Sequence, residues 1–384
     1  MTQILTHKPK GRRLDFRQAT LGAAEMREVP AWRIALEVMA LARSQGRLTA
    51  DDYFLQGAWR PGLTWTERRA FVGTRVNSAV NLALNPPITD AARQITQDKL
   101  GATRRFEAAG LPVPRTMAVA AQGDPGDGLR WLDGPEAIAA YIRAPGTLPC
   151  FGKPVHGSTG VGAVWLDRLD EAGQVQLNDG RVVSVEALVA EIWASHARGY
   201  LFQEILAPHP ALARLIGPVI GTLRVLTIDA GNGPEVLYTG LKTPAPGAVV
   251  DSAAGPLGCY AAIDAASGKV LRLQDRRRLG GTDEAVNPIT GVAMAGHILP
   301  DFAQALQIAV AAHGCIPDRG ILGVDIMLSD GGPRVMEVNT SPHNSLYQTA
   351  FGLGLLSAEF LPRLQAVRAR YRAVTPRPKY SPLK

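Results

Sequence analysis

The chain has 384 residues, 46% hydrophobic and 20% charged, which is enough for about two or three globular domains. Its net charge of +7 raises nucleic acid as a partner, but the basic residues form no long block and aromatic residues make up only 6%, so a solvated surface or an anion site is favoured. No apolar run reaches membrane-spanning length, and residues 1–10 lack the apolar core of a secretory signal. Cys150, Cys259 and Cys315 are scattered without metal-ligand spacing, which is typical of reduced thiols in a cytoplasmic protein.

The first 89 residues predict a helical lead-in that carries no recognisable chemistry. Residues 1–25 have the pattern of a loose basic lead. Apolar residues recur at helical spacing over residues 31–43, and a second helical stretch covers residues 65–84. This stretch ends before Asn85-Pro86-Pro87, because proline cannot continue a helix.

The next stretch combines two lysines with a glycine-rich turn. A helix is predicted over residues 90–109, which include Lys99, and a strand over residues 115–120. Lys153 lies on a strand that leads into the glycine-rich residues 157–162 and out into another strand. Glycine lets backbone N–H groups approach phosphate oxygens, and the lysine supplies a countercharge. A Walker loop does not fit, because no Gly-Lys-Ser/Thr opens a helix here. A dinucleotide fingerprint does not fit either, because a strand and not a helix follows the glycine-rich turn. A phosphate-binding hairpin and a plain structural hairpin both remain open.

An apolar strand over residues 200–206 carries one acid and then meets proline. It follows a helix predicted over residues 182–197. The carboxylate of Glu204, or a main-chain carbonyl beside it, can accept the exocyclic amine of adenine while Ile205 and Leu206 pack against the ring. The alternative is an acid at a strand end in water.

Two further strands are predicted at residues 221–230 and 234–243. Arg224 lies within the apolar run of the first, so it must face solvent or meet an anion. The second ends near Lys242 and is followed by a loop of small residues over 249–259, against whose main chain a ligand can sit. One more strand and one amphipathic helix follow, at residues 260–264 and 297–313.

Residues 321–342 predict a β-hairpin, because two apolar runs flank the turn-forming cluster that begins at Ser329. Asp325 lies on its first strand, and Glu337 and Asn339 share one face of its second strand. These hard oxygen ligands suit Mg²⁺ held together with substrate phosphates. The alternative is a set of polar side chains on the solvated face of an edge hairpin. A closing helix is predicted over residues 351–371.

The order of these motifs resembles the ATP-grasp superfamily, and most of all its sugar-transfer-associated members, which are related to α-L-glutamate ligases. The resemblance covers roughly residues 90–365. It implies an α+β fold in which two subdomains, residues 90–210 and 211–371, grip ATP between them. A helical lead-in of residues 1–89 precedes them, where the family usually has an α/β domain, and a basic tail of residues 372–384 follows.

The resemblance also implies a role for each motif residue. Arg224 and Lys242 would be catalytic, and His209 is a substitute for the usual ribose-binding acid. The metal ligands would be Asp325, Glu337 and Asn339. The other nucleotide-binding residues would be Lys99, Lys153, Gly157, Ser158, Thr159, Gly160, Gly162, Gln203, Glu204, Ile205 and Leu206.

The implied reaction is an ATP- and Mg²⁺-dependent ligation. A substrate carboxylate attacks the γ-phosphate to give an acyl-phosphate, and an amine then displaces phosphate. Such chemistry requires the protein to position the substrates and neutralise their charge, and it does not require a covalent nucleophile. The partners would be ATP and a small carboxylate and amine, sugar-like or amino-acid-like, with no membrane or nucleic acid. Two alternatives stay open, namely a kinase acting on a hydroxyl or sugar-like acceptor and a non-catalytic ATP-binding module.

Overall fold

The computed structural model describes residues 4–6, 14–89, 92, 95–124, 126, 128–157, 160–245, 259–275, 286–374 and 383. This part of the chain contains twelve helices and thirteen strands arranged in two sheets, so the predicted α+β fold with a helical lead-in is confirmed. None of the helices within these residues has the length and apolar character needed to cross a bilayer.

The lead-in contains five helices, of which the first three share a hydrophobic core that includes Ile34, Leu41 and Tyr53. The five helices are α1 Phe16–Met26, α2 Ala31–Arg43, α3 Ala50–Leu55, α4 Trp65–Arg69 and α5 Thr74–Leu84. Capping boxes begin α3 at Thr49 and α4 at Thr64, where each threonine hydroxyl accepts a backbone N–H that the helix leaves unpaired. The prediction of a loose lead over residues 1–25 is therefore wrong for α1, and also for residues 4 and 5, which are buried.

The single helix predicted over residues 65–84 is divided in two. The break falls at Val72, whose N–H donates to the Gln348 side-chain oxygen at 2.7 Å and whose carbonyl accepts from the Gln348 side-chain nitrogen at 2.9 Å. A side-chain amide from far along the chain thus replaces the helical partners of Val72. Tertiary hydrogen bonding overrides the local apolar pattern here.

The middle of the chain forms a seven-stranded sheet with three helices. Its strands are β1 Thr116–Ala120, β2 Trp131–Leu132, β3 Cys150–Pro154, β4 Val164–Leu169, β5 Val175–Leu177, β6 Val182–Val183 and β7 Tyr200–Gln203, and its helices are α6 Lys99–Ala108, α7 Pro135–Arg143 and α8 Val185–His196. The strand order is β2-β1-β7-β3-β4-β5-β6. α7 and α8 cover one face through a shared core that includes Ile138, Leu166 and Ile192. The other face carries Phe151 and Lys153, which alternate with that core along β3.

The last part of the chain forms a six-stranded antiparallel sheet. Its strands are β8 Thr222–Ile228, β9 Glu235–Lys242, β10 Cys259–Ile263, β11 Val270–Asp275, β12 Ile321–Ser329 and β13 Gly332–Asn339, in the order β11-β10-β9-β8-β12-β13. The helices around it are α9 Pro210–Ile216, α10 Phe302–Gly314, α11 Ser345–Phe351 and α12 Phe360–Tyr371. α10 covers one face, and α5 and α12 pack on the other against Leu226 and Ile228.

Two helix boundaries near the end of the chain differ from the prediction. The helix expected over residues 297–313 begins only at Phe302, and that expected over residues 351–371 begins only at Phe360, after a short helix that ends at Phe351. This short helix, α11, is capped by Gly352, which has a left-handed φ of 67°. The following turn is pressed against the lead-in, where a Cβ on Gly354 would lie 2.3 Å from the carbonyl carbon of Ala70.

Three asparagines spaced by four residues join the lead-in to the loop after β13. Asn77 and Asn81 of α5 donate to the carbonyl of Pro342 at 3.0 and 2.9 Å. Asn85 lies just beyond α5, and its side-chain nitrogen donates to the carbonyls of Ile321 and Thr340 at 3.1 and 2.8 Å. Its oxygen accepts the N–H groups of Gly320 and Ile321 at 2.8 and 3.0 Å. The lead-in therefore holds both strands of the β12–β13 hairpin at the end near Thr340.

We expect Asn85→Ala to lower the free energy of unfolding by about 3–5 kcal/mol, because it leaves several buried backbone groups without partners. Denaturant unfolding measures the change. Asn178→Ala is the matched control, since Asn178 is exposed and its side chain forms no hydrogen bond within the described residues, and it should shift the value by less than about 0.5 kcal/mol. Equal small effects for both variants would contradict the role given to Asn85.

Candidate active site

A row of charged side chains crosses the six-stranded sheet on one face. Arg224 of β8 lies directly opposite Asp325 of β12, which lies directly opposite Glu337 of β13. Cross-strand partners project to the same face of a sheet, and Lys242 reaches that face from β9. Asn339 is two residues beyond Glu337, so it shares the face as well. The structure thus brings together all five of these predicted site residues.

The centre of the row is a buried ion cluster. Arg224 donates through Nε and Nη2 to the two carboxylate oxygens of Asp325, the Nη2–Oδ2 distance being 2.8 Å, and Lys242 Nζ donates to Oδ2 at 3.1 Å. Arg224, Asp325 and Lys242 are only 9%, 1% and 6% exposed. Burial alone would raise the pKa of Asp325, but the charges of Arg224 and Lys242 hold that pKa well below its usual range. Asp325 is therefore ionised at neutral pH, and, against the effect of burial, its charge in turn raises the pKa of Arg224.

The row leaves room for the guanidinium because the neighbouring position on its face is a glycine. Gly323 precedes Asp325 by two residues on β12, and a Cβ there would lie 3.3 Å from Arg224 Nη1 and 3.0 Å from the Cβ of Pro342. A side chain at this position would have to displace either the arginine or the loop after β13. Glycine is favoured here by close packing and not by its backbone angles.

Two lysines of the seven-stranded sheet and its helices face this row. Lys99 begins α6, whose first turn is capped by the Asp98 carboxylate, and its Nζ donates to the carbonyl of Gly157 at 2.6 Å. Burial lowers the pKa of Lys99, while Glu337 and Asp98 oppose that change. Burial and the charge of Lys99 together lower the pKa of Lys153 to about 8, against the opposing influence of Glu337. The Glu337 carboxylate thus favours the charged form of both lysines from the other side of the gap.

The gap between the two sheets is a cleft of about 490 Å³. Lys99, His156 and Gly157 line it from one side, and Glu337 and Asn339 from the other. Seven charged groups have been named above in or beside the cleft: the cations are Arg224, Lys242, Lys99 and Lys153, and the anions are Asp98, Asp325 and Glu337. Lysines in such a place can bind an anionic ligand.

The donor set at the edge of the cleft fits magnesium. Glu337 and Asn339 are partly exposed and share the cleft wall, with Asn339 Nδ2 3.3 Å from Glu337 Oε1. Asp325 stands apart, since both of its oxygens already accept from cations. Among the described residues no group of three or more histidine, cysteine, aspartate or glutamate side chains is arranged to hold a metal. Magnesium here would therefore take further oxygens from a bound phosphate, and the assignment of Asp325 as its ligand stays a prediction.

An apolar pocket of about 70 Å³ adjoins the cleft, and Met336 lines both. Phe151 and Trp165, which are cross-strand partners on β3 and β4, form part of its wall. The other lining residues are Pro114, Gln203, Glu204, Ile205, Leu206, Ile220, Thr222 and Met327. The pocket has the composition expected for a flat apolar ring and is built from both sheets.

The predicted adenine contacts line this pocket, but the Glu204 carboxylate is already engaged. It accepts the N–H of Arg115 at 2.8 Å, and the N–H of Glu204 donates to the Arg115 carbonyl at 3.1 Å. Within the described part of the chain, the backbone groups of Ile205 and Leu206 form no hydrogen bond. Of the two acceptors considered for an exocyclic amine, the main chain is therefore unengaged within these residues, and the Glu204 carboxylate is engaged through Oε1. Gln203 is buried and donates to Thr116 Oγ1 at 3.1 Å.

The remaining predicted residues fall in different places. Gly157 lines the cleft, whereas Ser158 and Thr159 lie outside the described residues. Gly160 and Gly162 both have positive φ, and a Cβ on Gly162 would lie 2.6 Å from His196 Nε2. His209 caps α9 by accepting the N–H of Ala211 at 3.1 Å and lines neither the pocket nor the cleft, so its contact with ribose stays a prediction.

Reasoning from the sequence missed the aromatic wall of the pocket and the asparagines that support the site. The Phe151–Trp165 pair depends on a strand register that the sequence does not reveal. The asparagines did leave a signal, because Asn77, Asn81 and Asn85 recur every four residues and so share one face of a helix.

We expect the affinity of the cleft for ATP to fall by about tenfold between about pH 7 and about pH 9. With a pKa of about 8, Lys153 is protonated below this window and neutral above it, so the cleft loses one positive charge as the pH rises. Lys153→Arg keeps its charge throughout and should remove the decline. Calorimetric titration at both pH values measures it. An equal decline in the variant would show that a different group titrates.

Comparison with solved structures finds partial similarities. A D-alanine–D-alanine ligase from Coxiella burnetii is 13% identical, with 73% of this chain and 58% of that chain covered and a TM-score of 0.41. An L-amino acid ligase from Bacillus licheniformis is 14% identical, covers 76% and 53% and has a TM-score of 0.39. An ATP-grasp ligase complexed with a precursor peptide and AMPPNP is 19% identical, covers 73% and 59% and has a TM-score of 0.36. The matches thus span less than two thirds of those chains.

No curated protein matches the chain. The family is shown instead by a sequence model for sugar-transfer associated ATP-grasp proteins, which matches residues 81–368, well over half of the chain. The matched residues include both sheets, the cleft between them and the charged row. The chain therefore belongs to the sugar-transfer associated ATP-grasp family.

Proposed function

We propose that this protein is an ATP- and Mg²⁺-dependent ligase that activates a carboxylate as an acyl-phosphate for attack by an amine. The observation that carries the proposal is the junction at Met336, where an apolar pocket opens beside a polar cleft that Lys99 and Glu337 line from opposite sides. A nucleoside triphosphate has this same division, with a flat ring at one end and a row of anionic groups at the other. Both halves of the site are built from both sheets, so the ligand would lie between them.

The proposed placement of ATP follows from these walls. The adenine ring would lie between Phe151 and Met336, with its amine donating to the main chain near Ile205. The phosphates would extend between Lys99 and Glu337, and the backbone of Gly157 stands beside their path. Partly desolvated lysines suit this task, because their charge is weakly screened by water.

Glu337 and Asn339 would hold Mg²⁺ through their side-chain oxygens. When bound, the ion would neutralise phosphate charge and orient the terminal phosphate for in-line displacement. The protein's own contribution at this edge is to supply the two oxygens from one rigid strand face, which the β12–β13 pairing maintains.

Arg224 and Lys242 would bind the oxygens of the phosphate that is transferred. The carboxylate oxygen of the substrate attacks the γ-phosphorus and the bond to the bridging oxygen breaks, which gives an acyl-phosphate and ADP. The amine then attacks the acyl carbon, phosphate leaves with the bonding electrons and the nitrogen loses a proton. Asp325 keeps the two cations aligned throughout. No cysteine is needed as a nucleophile, and all three are buried.

The function is tested by incubating the protein with ATP, Mg²⁺ and a panel of amino acids, sugar acids and nucleotide sugars. We expect inorganic phosphate and ADP in equal amounts when the right carboxylate and amine are present. Glu337→Gln is the control and should abolish both products, because it weakens the magnesium site. ADP without phosphate, accompanied by a phosphorylated acceptor, would identify a kinase instead. ATP binding without turnover of any acceptor would indicate a binding module.

We expect Arg224→Lys to lower kcat by about 10²–10³ while ATP affinity changes less than about threefold, since a point charge cannot reproduce the planar fork that stabilises developing charge. Lysine keeps a counter-ion for the buried Asp325, so this variant avoids the unpaired charge that Arg224→Ala would leave. An unchanged melting temperature checks the fold. A loss of ATP affinity in proportion to the loss of rate would make Arg224 a nucleotide ligand.

A further inference from the structure

Residues 4–6 lie along the end of the glycine-rich loop and hydrogen-bond to it. Thr6 N–H donates to the carbonyl of Ala163 at 3.0 Å, and Gly162 N–H donates to the Thr6 carbonyl at 2.8 Å. The Thr6 hydroxyl accepts the N–H of Ala163 at 2.8 Å and donates to the carbonyl of Gly160. One residue thus makes four hydrogen bonds to the four-residue stretch 160–163.

The Thr6 hydroxyl bridges a turn that is weak by itself. Gly160 and Ala163 close this turn through a single long hydrogen bond from Ala163 N–H to the Gly160 carbonyl, at 3.3 Å. The hydroxyl bonds to both of these groups at once. Positive φ angles at Gly160 and Gly162 mean that the turn has little intrinsic preference for this shape. The bridge therefore defines the turn more than the loop sequence does.

The segment that carries Thr6 is itself fixed to the seven-stranded sheet. The N–H groups of Ile4 and Leu5 donate to the two carboxylate oxygens of Glu191 on α8, at 2.8 and 3.0 Å. Arg181 donates to the Ile4 carbonyl at 2.9 Å. Ile4 and Leu5 are also buried in the core under α7 and α8. Thr6 therefore presents its hydroxyl from a rigid support.

The two ends of the loop are held by different groups. Lys99 bonds to Gly157 at the cleft end, and Thr6 bonds to residues 160–163 at the other end, where Tyr200 also donates to the Gly162 carbonyl at 2.9 Å. Lys99 is a cleft residue that a phosphate would draw away from Gly157. The Thr6 contacts lie outside the cleft lining and would persist when a nucleotide binds.

We infer that Thr6 is a positioning residue for phosphate binding, which anchors residues 160–163 so that the backbone of Gly157 stands at the cleft. The inference rests on the proposed nucleotide site and adds to it a residue outside the matched region of the family, which begins at residue 81. Contacts made equally to the bound nucleotide and to the transition state change KM and leave kcat alone. Thr6 should therefore act on the KM for ATP.

Thr6→Ala and the near-isosteric Thr6→Val both remove the hydroxyl. We expect hydrogen exchange at Gly162 and Ala163 to quicken by roughly tenfold in each, since a bridged turn loses two hydrogen bonds. We also expect the KM for ATP to rise roughly fivefold with kcat within about twofold of the unmodified protein. Thr6→Ser keeps the hydroxyl and should restore both values.

The matched control is Thr20→Ala, which removes a hydroxyl that donates to the Phe16 carbonyl at 2.7 Å within α1, away from the loop. If Thr6→Ala lowered the melting temperature as Thr20→Ala does, yet left loop exchange and KM unchanged, Thr6 would be merely structural and the inference overturned. A protein that bound no ATP would instead overturn the proposed function. Loop exchange would then still decide whether Thr6 anchors residues 160–163.

Discussion

The buried contact between Arg224 and Asp325 is the constraint on which the rest of the site depends. These residues are 101 positions apart, and Lys242 joins them from 83 positions away, so only one pairing of β9, β8 and β12 brings them together. A shift of the strand register by one residue would turn the Asp325 side chain into the apolar core beneath α10. A carboxylate buried there would have no partner. Charge therefore specifies the strand register, and that register places Glu337 and Asn339 beside the cleft.

Neither sheet forms the site without the other. The seven-stranded sheet and α6 contribute the lysines and the aromatic pair Phe151 and Trp165, and the six-stranded sheet contributes the arginine, the carboxylates and two methionines. Burial and the charge of Lys99 lower the pKa of Lys153, and Glu337 from the opposite sheet opposes that change. A polyanion bound between the sheets would be attracted to these lysines, and this attraction would favour closure of the two halves around it.

Much of the fold and of the candidate site could be predicted because the relevant signals are local. Alternation along a strand places Glu337 and Asn339 on one face, and a turn cluster predicts the hairpin that sets Asp325 opposite Glu337. The missed features are settled by contacts distant in sequence. Gln348 breaks a predicted helix at Val72, and Arg115 takes the Glu204 carboxylate from 89 positions away. No periodicity can report such partners, because each half of the contact has an ordinary local pattern.

Neutral amide side chains supply hydrogen bonds between the lead-in and the six-stranded sheet, beside the apolar packing of α5. Asn77, Asn81 and Asn85 bond to the backbone around the hairpin, and Gln348 bonds to the backbone of Val72. These groups carry no net charge, whereas the proposed binding of anions in the cleft depends on charged lysines such as Lys99. Ionic strength therefore acts on the two features separately, because dissolved salt screens charges and leaves neutral hydrogen bonds nearly unchanged. We therefore expect the scaffold to stay assembled in concentrated salt solutions that weaken the proposed binding of anions.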